Sequence, residues 1–439
     1  MALPDVYVEL LPPLTAAEAV LEADACLECG GPYAPAPCAE ACPAGVDVPG
    51  FVGAIARGDP EGAAELIFAE NLLGGTCARV CPVETLCEGA CVLAHEAREP
   101  IAIGRLQRYA TEVAFARGVR LPRKHSRTGK RIAVVGAGPA GLACAGELAL
   151  LGHEVTVYDA REEPGGLVRF AIAPYRQLRE PLTDESTAIA RLGVRFLFDS
   201  PIHSPEALRA LEGDYDACVL AVGLGDDLDV GYPGDDREGV WNSLPFIERI
   251  KTGNAPEVGD HVAVIGGGNT AIDVAREALR LGAGEVTLVY RRTEAEMPAY
   301  PREVEEAREE GVEFLWLTVP VRFLGSRRLT GIECRRMRLG APDASGRPRP
   351  EEVPGSEFVL LADTVVKAVG QQPRSELLGW IEGLELRKGR IAVDEAGRTG
   401  NPHWFAAGDA VNGGATVVEA VREAKLAARG VDASLRGWS

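Results

Sequence analysis

The stretch from Arg131 to Asp159 reads RIAVVGAGPAGLACAGELALLGHEVTVYD, and it decides the fold. Its two ends, RIAVV and EVTVY, are short apolar runs typical of buried parallel strands. Between them lies a glycine-rich turn that leads into a helical pattern. Strand, glycine turn, helix and strand in this order form the βαβ unit that binds dinucleotides. The sequence therefore predicts a Rossmann-like domain that begins near residue 128.

Each residue type in this first turn has a physical reason. Gly136 allows the tight turn, Gly138 lets the backbone approach a pyrophosphate at the helix N-terminus, and Gly141 lets helix and strand pack closely. Asp159 ends the second strand, where its carboxylate can bind ribose hydroxyls. The candidates here are Gly136, Gly138, Pro139, Ala140, Gly141 and Asp159.

The same pattern returns at residues 261–292, with the glycines repeated at an offset of 130. This copy has alanine at the third glycine position and ends in Arg291 and Arg292 instead of a carboxylate. Paired guanidinium groups can bind a 2′-phosphate, which favours NADPH over NADH. The alternative interpretation is that both arginines lie in a solvated loop and that NADH is the cofactor. The candidates here are Gly266, Gly267, Gly268, Asn269, Thr270, Arg291, Arg292, Ala368 and Gly370.

From Arg131 to its end the chain resembles the flavoproteins that bind two dinucleotides. A short strand, Trp404 to Ala407, leads to Gly408-Asp409 and then to a helix from about Thr416 to Arg429. The resemblance implies that the Gly-Asp pair meets FAD and that this helix points its N-terminus at the flavin ring. It adds these FAD candidates: Gly166, Leu167, Arg176, Gly408, Asp409, Thr416 and Val417.

Eight of the eleven cysteines fall between Cys26 and Cys91. Their short spacings, twice closed by Cys-Pro, are typical of [4Fe-4S] binding, and eight thiols suggest two clusters. Zinc in four-cysteine sites is the alternative. The remaining three cysteines stand alone in apolar surroundings and are expected in the core: Cys144, Cys218 and Cys334.

The motifs CxxC, CxxxCP, ARVCP, LCEGACVL and IGRLQRYATE precede the flavoprotein pattern. In this combination the chain resembles a family of electron-input subunits. The resemblance implies one cluster on Cys26, Cys29, Cys38 and Cys91, and another on Cys42, Cys81, Cys87 and Gln107. Cys77 would then be a spare thiol. Spacing alone assigns eight cysteines to eight positions, so Cys77 remains the alternative to Gln107.

That family includes the flavin subunit of bacterial dihydropyrimidine dehydrogenase, the small subunit of NADPH-dependent glutamate synthase and the large subunit of ferredoxin:NADP oxidoreductase. Glutamine within IGRLQ favours the first type. The resemblance implies that NADPH gives hydride to FAD and that the clusters pass single electrons to a partner catalytic subunit or ferredoxin-like acceptor, in a hetero-oligomer. An alternative of another class is a stand-alone flavin reductase with structural clusters, and a third is a zinc-stabilised assembly subunit.

The predicted fold class is α/β, with two Rossmann-like dinucleotide-binding domains, one inserted in the other, and an N-terminal α-helical domain with two [4Fe-4S] clusters. The basic stretch Pro122 to Gly129 is interpreted as a linker. The expected divisions are an iron–sulfur domain (1–127), an FAD-binding domain in two parts (128–239 and 371–439) and an NAD(P)H-binding domain (240–370). Residues 340–357 are expected to form a Pro/Gly-rich excursion.

The formal charge of −19 over 439 residues makes nucleic acid and anionic membranes poor partners. The sequence shows neither a signal peptide nor an apolar run long enough for a membrane helix, so we expect a cytoplasmic protein. The six histidines form no motif. Hydride and electron transfer between cofactors needs positioning more than side-chain acid or base chemistry, so the sequence predicts no catalytic residue.

Overall fold

The computed structural model describes residues 8–31, 33–96, 98–342 and 346–437. Contacts divide the chain into two compact units. The larger unit holds the described residues of Leu10–Arg169, Arg179–Leu224 and Pro373–Ser439, and the smaller unit holds those of Met1–Glu9, Phe170–Leu178 and Gly225–Gln372. The α/β class is as predicted, while the finer division of the larger unit into an iron–sulfur and an FAD-binding domain stays a prediction.

The first part of the larger unit is helical. Its helices are α1 (Ala16–Asp24), α2 (Pro37–Glu40), α3 (Val48–Ala56), α4 (Pro60–Glu70), α5 (Gly74–Val80), α6 (Val92–His95) and α7 (Ile103–Arg117). Aspartates 47 and 59 cap α3 and α4 by accepting backbone N–H groups of the first turn. The core between these helices holds the fully buried side chains of Phe51, Phe68 and Leu106.

The rest of the larger unit is built on one parallel sheet. Its elements are β1 (Arg131–Val135), α8 (Pro139–Leu150), β2 (Glu154–Tyr158), α9 (Leu167–Phe170), α10 (Leu182–Arg191), β3 (Arg195–Leu197), α11 (Pro205–Asp214), β4 (Ala217–Leu220), and later α15 (Ser375–Gly379), β13 (Leu386–Arg387), β14 (Arg390–Ile391), β15 (Trp404–Ala406), α16 (Asp409–Asn412) and α17 (Val417–Arg436). The sheet order is β15-β4-β1-β2-β3. The order reverses between β1 and β4, so a ligand crevice is expected at the carboxyl ends of these strands.

The smaller unit repeats this plan. Its elements are β5 (Val240–Asn242), α12 (Ser243–Lys251), β6 (His261–Ile265), α13 (Asn269–Arg280), β7 (Glu285–Val289), α14 (Pro301–Glu309), β8 (Glu313–Leu315), β9 (Thr318–Gly325), β10 (Leu329–Pro342), β11 (Pro348–Leu360) and β12 (Thr364–Lys367). The parallel sheet has the order β5-β12-β6-β7-β8, and an antiparallel sheet has the order β11-β10-β9. Here the order reverses between β6 and β12.

The expectation of a Pro/Gly-rich excursion over residues 340–357 was wrong. This segment holds the end of β10 and most of β11, which pair antiparallel, while residues 343–345 lie outside the described part of the chain. Prolines 348, 350 and 354 are compatible with β11 because it forms the edge of its sheet, where a missing N–H leaves no neighbouring strand unpaired.

One further expectation is confirmed, since Cys144, Cys218 and Cys334 are fully buried. Helix α14 begins at Pro301, and Gly311 lies just beyond its end with a positive φ of 103°. Among the described residues, no helix is long and apolar enough to cross a membrane.

Candidate cofactor sites and cysteine cavities

The first glycine turn lies at the end of β1. Gly136 has φ +105°, and a Cβ there would stand 2.3 Å from the carbonyl oxygen of Ala221, just after β4. A Cβ on Gly141 would stand 1.8 Å from the carbonyl oxygen of Gly136. Both positions therefore require glycine. Gly138 is the N-cap of α8, and because it has no side chain the first N–H groups of the helix are left for a ligand phosphate.

A second backbone segment closes on this turn. Gly166 has φ +52°, and a Cβ there would stand 3.0 Å from the Cα of Gly138. Leu167 follows as the first residue of α9. Two glycines face to face leave the peptide groups on both sides accessible to a bound molecule. The structure thus brings Gly166 to the predicted pyrophosphate position.

Asp159 follows β2, as expected. Its carboxylate accepts hydrogen bonds from the backbone N–H groups of Ala137 at 2.6 Å and Arg161 at 2.8 Å. These bonds fix the carboxylate beside the glycine turn. Each oxygen keeps a further lone pair, so a ribose hydroxyl could still donate to it.

The C-terminal Gly408-Asp409 pair also reaches the first turn. Gly408 has φ +79°, and a Cβ there would stand 2.7 Å from the Cβ of Ala140 in α8. Burial raises the pKa of the Asp409 carboxyl, and its Oδ1 accepts a hydrogen bond from the N–H of Ala415 at 3.2 Å. Thr416 then caps α17, whose first residue is Val417. Gly408 of the C-terminal segment therefore lies directly beside the helix that follows the first glycine turn.

The second glycine turn has the same construction at the end of β6. Gly266 has φ +147°, and a Cβ there would stand 2.2 Å from the carbonyl oxygen of Ala368, just after β12. Gly268 is the N-cap of α13. Gly267 packs against the Tyr290 ring, where a Cβ would stand 2.4 Å from a ring carbon. Gly370, with φ +112°, has open space around it.

The residues after β7 form a structured loop around this turn. Asn269 Oδ1 accepts a hydrogen bond from the N–H of Tyr300 at 3.0 Å, and the Tyr290 hydroxyl donates to the carbonyl oxygen of Glu296 at 2.9 Å. Thr270 stands one position further along α13. Residues 290–300 thus support the glycine turn from outside.

The two predicted phosphate-binding arginines differ in their surroundings. Arg291 is exposed, whereas Arg292 is buried and its Nε donates to the carbonyl oxygen of Pro348 at 3.0 Å. Both line a cleft with Arg349 of β11. Sequence reasoning missed Arg349, because its segment was interpreted as an irregular excursion.

Arg176 belongs to the smaller unit, whereas the other FAD candidates belong to the larger unit. Its Nε donates to Asp273 Oδ1 at 2.7 Å, and its other nitrogens pair with Glu303. Tyr175 donates its hydroxyl to the same aspartate at 2.6 Å, and the Arg276 guanidinium lies over the Tyr175 ring at 4.4 Å. The structure therefore gives Arg176 an ion-pair role, and a contact with FAD has no support here.

The N-terminal cysteines line two separate cavities. The first cavity is lined by Cys26, Cys29, Cys38 and Cys91. The second is lined by Cys42, Cys77, Cys81 and Cys87, together with Gln107. The structure thus brings together the two ligand sets implied by the resemblance, and it adds Cys77 to the second.

The residues at these cavities fit iron–sulfur clusters better than single metal ions. Burial raises the pKa of the Cys38 thiol to about 11 and also raises the pKa values of Cys26 and Cys42. Such thiols become thiolates only when a metal supplies compensating charge. Within the described residues, no three His, Cys, Asp or Glu side chains converge closely enough for one ion. A cluster is larger than an ion and keeps its ligand sulfurs further apart.

Helix α5, which carries Cys77 and leads into Cys81, is fixed at its N-terminus. Glu185 of α10 accepts hydrogen bonds from the N–H groups of Gly75 at 2.8 Å and Thr76 at 3.0 Å. Gln107 Nε2 donates to the carbonyl oxygen of Gly74 at 2.6 Å, which leaves its Oε1 as the atom for a ligand role. No sequence motif pointed to Glu185.

Helix α17, which begins just after the Gly408-Asp409 pair, also contacts the N-terminal cysteine module. Val418, in the first turn of α17, lines the second cysteine cavity. Lys425 of the same helix donates to the carbonyl oxygens of Ala44 at 3.0 Å and Glu70 at 2.8 Å. Helix α17 therefore lies beside the second cavity.

These sites define a class: a flavoprotein with two dinucleotide folds and an attached iron–sulfur domain. A family model described as pyridine nucleotide-disulphide oxidoreductase matches residues 130–424, and one described as dihydropyrimidine dehydrogenase domain II, 4Fe-4S cluster, matches residues 5–119. The chain belongs to the pyridine nucleotide-disulphide oxidoreductase family and carries this 4Fe-4S domain at its N-terminal side. It is an oxidoreductase whose cofactors are FAD, a nicotinamide dinucleotide and [4Fe-4S] clusters.

Curated relatives support this assignment over nearly the whole chain. The chain is 39% identical to the glutamate synthase [NADPH] small chain of Halomonas elongata, over 97% of this chain and 92% of that one. It is 38% identical to the Escherichia coli small chain, over 97% and 93%. A third relative, the NADPH-Fe(3+) oxidoreductase subunit beta of Geobacter sulfurreducens, is 39% identical over 90% of this chain and 63% of its own length. These relatives are named as subunits or chains of larger enzymes.

Solved structures confirm the fold of the flavoprotein part. Mycobacterium tuberculosis FprA in complex with NADPH superposes with a TM-score of 0.59 at 22% identity, over 71% of this chain and 86% of that one. Thioredoxin reductase from T. acidophilum gives 0.53 at 19% identity, over 70% and 99%.

Proposed function

We propose that this chain is an NADPH-oxidising electron-input subunit of the glutamate synthase small-chain type. NADPH supplies a hydride to FAD, and the two [4Fe-4S] clusters pass single electrons to a partner catalytic subunit. The FAD would be held by the first glycine turn, Asp159, Gly166 and Gly408-Asp409, and the nicotinamide dinucleotide by the second glycine turn. The side chains of this chain bind and orient the cofactors, since no acid or base group is required.

The observation that carries this proposal is the position of the second cysteine cavity. It is lined by four cysteines and Gln107 from the N-terminal part of the chain and by Val418 from the first turn of α17. The same turn is capped by Thr416 beside the crevice that holds Gly408 and Asp409. An iron–sulfur site adjoining the flavin helix has the placement of an electron acceptor. Clusters that only stabilised the fold would not need it.

We propose Cys42, Cys81, Cys87 and Gln107 as the ligands of this cluster, and Cys26, Cys29, Cys38 and Cys91 as those of the other. The choice of Gln107 over Cys77 has support in geometry. Gln107 lines the cavity and its amide nitrogen already bonds the backbone, which directs the amide and leaves the oxygen for a ligand role.

The choice of NADPH over NADH is supported by the arginine cleft. Arg291 and Arg349 line one cleft, and Arg292 holds the carbonyl oxygen of the residue before Arg349. We propose that Arg291 and Arg349 bind the 2′-phosphate and that Arg292 positions the start of β11. Guanidinium groups are well suited to phosphate because they present several N–H donors in one plane.

The identity of the partner subunit would distinguish the two leading types of electron-input subunit, the glutamate synthase type and the dihydropyrimidine dehydrogenase type. The similarity to glutamate synthase small chains covers almost the whole of both chains. The dihydropyrimidine dehydrogenase type is favoured by Gln107 at the second cavity and by the description of the matching 4Fe-4S domain. We therefore keep it as the second candidate.

The test is reconstitution with the partner from the same organism. The tagged chain is purified under anaerobic conditions, and its co-purifying subunit is identified by mass spectrometry. We expect a glutamine-hydrolysing synthase chain, and NADPH-dependent glutamate formation that requires both chains. A partner that reduces pyrimidines at the expense of NADPH would contradict the first type and support the second.

A further inference from the structure

Exposed apolar side chains are concentrated near the N-terminal end of the described chain. Of the fifteen large apolar side chains exposed among the described residues, seven lie within residues 8–33. Single exposed apolar side chains are normal, whereas a concentration of them marks a surface that another molecule covers. We call the part formed by Leu21, Leu27 and Tyr33 the N-terminal apolar surface. These three side chains are between 55% and 99% exposed.

The N-terminal apolar surface lies at the rim of the first cysteine cavity. Leu27 lines this cavity itself. Tyr33 belongs to the short loop between Cys29 and Cys38, and both of these cysteines line the cavity. A molecule that covered Leu27 and Tyr33 would therefore stand next to the first cluster.

Helix α1 is attached to the same cavity at its C-terminal end. The N–H of Cys26 donates to a carbonyl oxygen in the last turn of α1 at 3.1 Å. Glu22 Oε1 accepts a hydrogen bond at 2.8 Å from the N–H of Ala102, whose two neighbours in the chain line the cavity. Leu21 precedes Glu22 and so belongs to the end of α1 that meets the cavity.

The two cysteine cavities differ in their distance from the flavin helix. The second cavity is lined in part by Val418 of α17. The residues that line the first cavity all fall between Cys26 and Ile103, within the N-terminal helices and their connections. A cluster in the second cavity is therefore placed to receive electrons from the flavin, and a cluster in the first cavity is placed to pass them on.

The charge around the N-terminal apolar surface has one sign. Residues 1–56 contain eight Asp and Glu but no Lys, Arg or His. Asp24 and Glu28, beside Leu27 in the chain, are both exposed, while Arg105 of α7 lies near Glu18 and offsets part of the charge. An acidic rim attracts a basic surface and repels an acidic one. A second copy of this acidic chain is therefore a poor occupant.

We propose that the N-terminal apolar surface is the docking site of the partner catalytic subunit, which meets it with an apolar centre and a rim of Lys and Arg. The inference rests on the proposed function, and it names the surface by which electrons leave the chain. Each transfer moves one electron, so the first cluster is oxidised and the redox group of the partner is reduced, with no bond formed or broken.

The experiment uses two surface variants of the full chain, Leu21→Ser and Asp24→Lys. Both side chains are exposed, and neither residue lines a cysteine cavity. The matched controls are Leu361→Ser, at a leucine that is 62% exposed, and Asp236→Lys, at an aspartate whose side chain is 95% exposed. Both control residues belong to the smaller unit.

The probe is the catalytic chain that co-purifies with the wild type. Its Kd for each variant is measured anaerobically by calorimetry at about 20 mM and about 500 mM salt, because salt screens exposed charges. NADPH-driven bleaching of the flavin and the clusters is recorded for each chain alone, and the mass of each chain alone is measured by sedimentation.

We expect Leu21→Ser to weaken binding about tenfold at both salt concentrations, because an apolar side chain no longer leaves water on docking. Asp24→Lys should weaken binding about tenfold at low salt and much less at high salt. Both controls should bind the catalytic chain like the wild type. All four variants should be bleached by NADPH as the wild type is.

Unchanged affinity in both surface variants would overturn the inference and leave the proposed function intact. A wild-type dimer that Leu21→Ser converts into a monomer, with unchanged affinity for the catalytic chain, would show that a second copy covers the surface and would also overturn it. If no catalytic chain binds the wild type, the proposed function fails, and this inference fails with it.

Discussion

At the scale of single residues, the proposed preference for NADPH depends on a few guanidinium groups that line one cleft. Arg291 was visible in the sequence because it follows the second strand of a recognisable βαβ unit. Arg349 could not be predicted as a candidate from the sequence, because it reaches the cleft of Arg291 only through the pairing of β10 with β11. The buried Arg292 shows that two adjacent arginines need not share one task.

Arg349→Ala is expected to weaken NADPH binding by about ten- to one-hundred-fold and leave NADH binding nearly unchanged, since a charged hydrogen bond contributes about 1.5–3 kcal/mol. The measurement is the KM of flavin reduction for each nucleotide. Arg327→Ala, whose side chain is 87% exposed and pairs with Glu238, is the control. An equal loss for NADPH and NADH would contradict a contact with the 2′-phosphate.

At the scale of elements, the duplicated βαβ unit was the most predictable part of the molecule. Its glycines are required by the close approach of β1 to β4 and of β6 to β12. Because no other residue fits at these positions, the glycine pattern can be recognised in the sequence. The hairpin β10–β11 was missed because prolines and glycines are typical of turns, and an edge strand tolerates them without a distinctive pattern. The anchoring of α5 by Glu185 was also missed, because the two segments lie far apart in the chain.

The two turns offer a matched pair of variants. Gly136→Ala should abolish FAD binding, and Gly266→Ala should abolish binding of the nicotinamide dinucleotide while FAD is retained. In each case the new Cβ would stand about 2 Å from a carbonyl oxygen of the neighbouring strand end. Flavin content and nucleotide binding by fluorescence are the measurements. Gly282→Ala, with φ +99° but open space, controls for backbone strain alone.

Loss of both cofactors from the Gly266→Ala variant would contradict separate sites in two folds. Full FAD content in Gly136→Ala would show that the first turn does not hold the flavin nucleotide.

Helix α17 is tied to the predicted linker by a buried histidine. His153 Nε2 pairs with Asp432 of α17 at 3.0 Å, and its Nδ1 lies 2.8 Å from the Thr128 hydroxyl. Arg436 also pairs with Asp432, at 2.6 Å. Burial lowers the pKa of His153 in the folded chain below its ordinary value of 6.5, despite the opposing effect of Asp432.

A lowered histidine pKa makes the unfolded chain bind a proton more readily than the folded chain. The contribution of His153 to the free energy of unfolding is therefore fully present above pH 6.5, and it decreases as the pH falls through that value. We expect the wild type to lose more stability between pH 7.5 and pH 5.5 than His153→Gln does, as measured by chemical denaturation at about these two pH values. An identical loss in both proteins would contradict the assignment.

At the scale of the whole molecule, the sequence predicted the class, the two dinucleotide folds and the helical iron–sulfur module. It also implied the division of the cysteines into two sets, through the resemblance to a family and not through spacing. Spacing alone cannot separate the sets, because Cys91 lines the cavity of Cys26, Cys29 and Cys38, while the four cysteines between Cys38 and Cys91 line the other cavity. The partner could not be predicted, because the candidate cofactor residues other than Gln107 bear on the cofactors and not on the subunit that receives the electrons.

The central claim is that the clusters carry the electrons that the flavin accepts. It is tested most directly by adding NADPH to the purified chain under anaerobic conditions and recording the absorption and EPR spectra. Both the flavin peaks and the broad iron–sulfur absorption are expected to bleach, and an EPR signal of a reduced cluster is expected to appear. Bleaching of the flavin alone, with the cluster absorption and EPR unchanged, would contradict it and indicate a stand-alone flavin reductase with structural clusters.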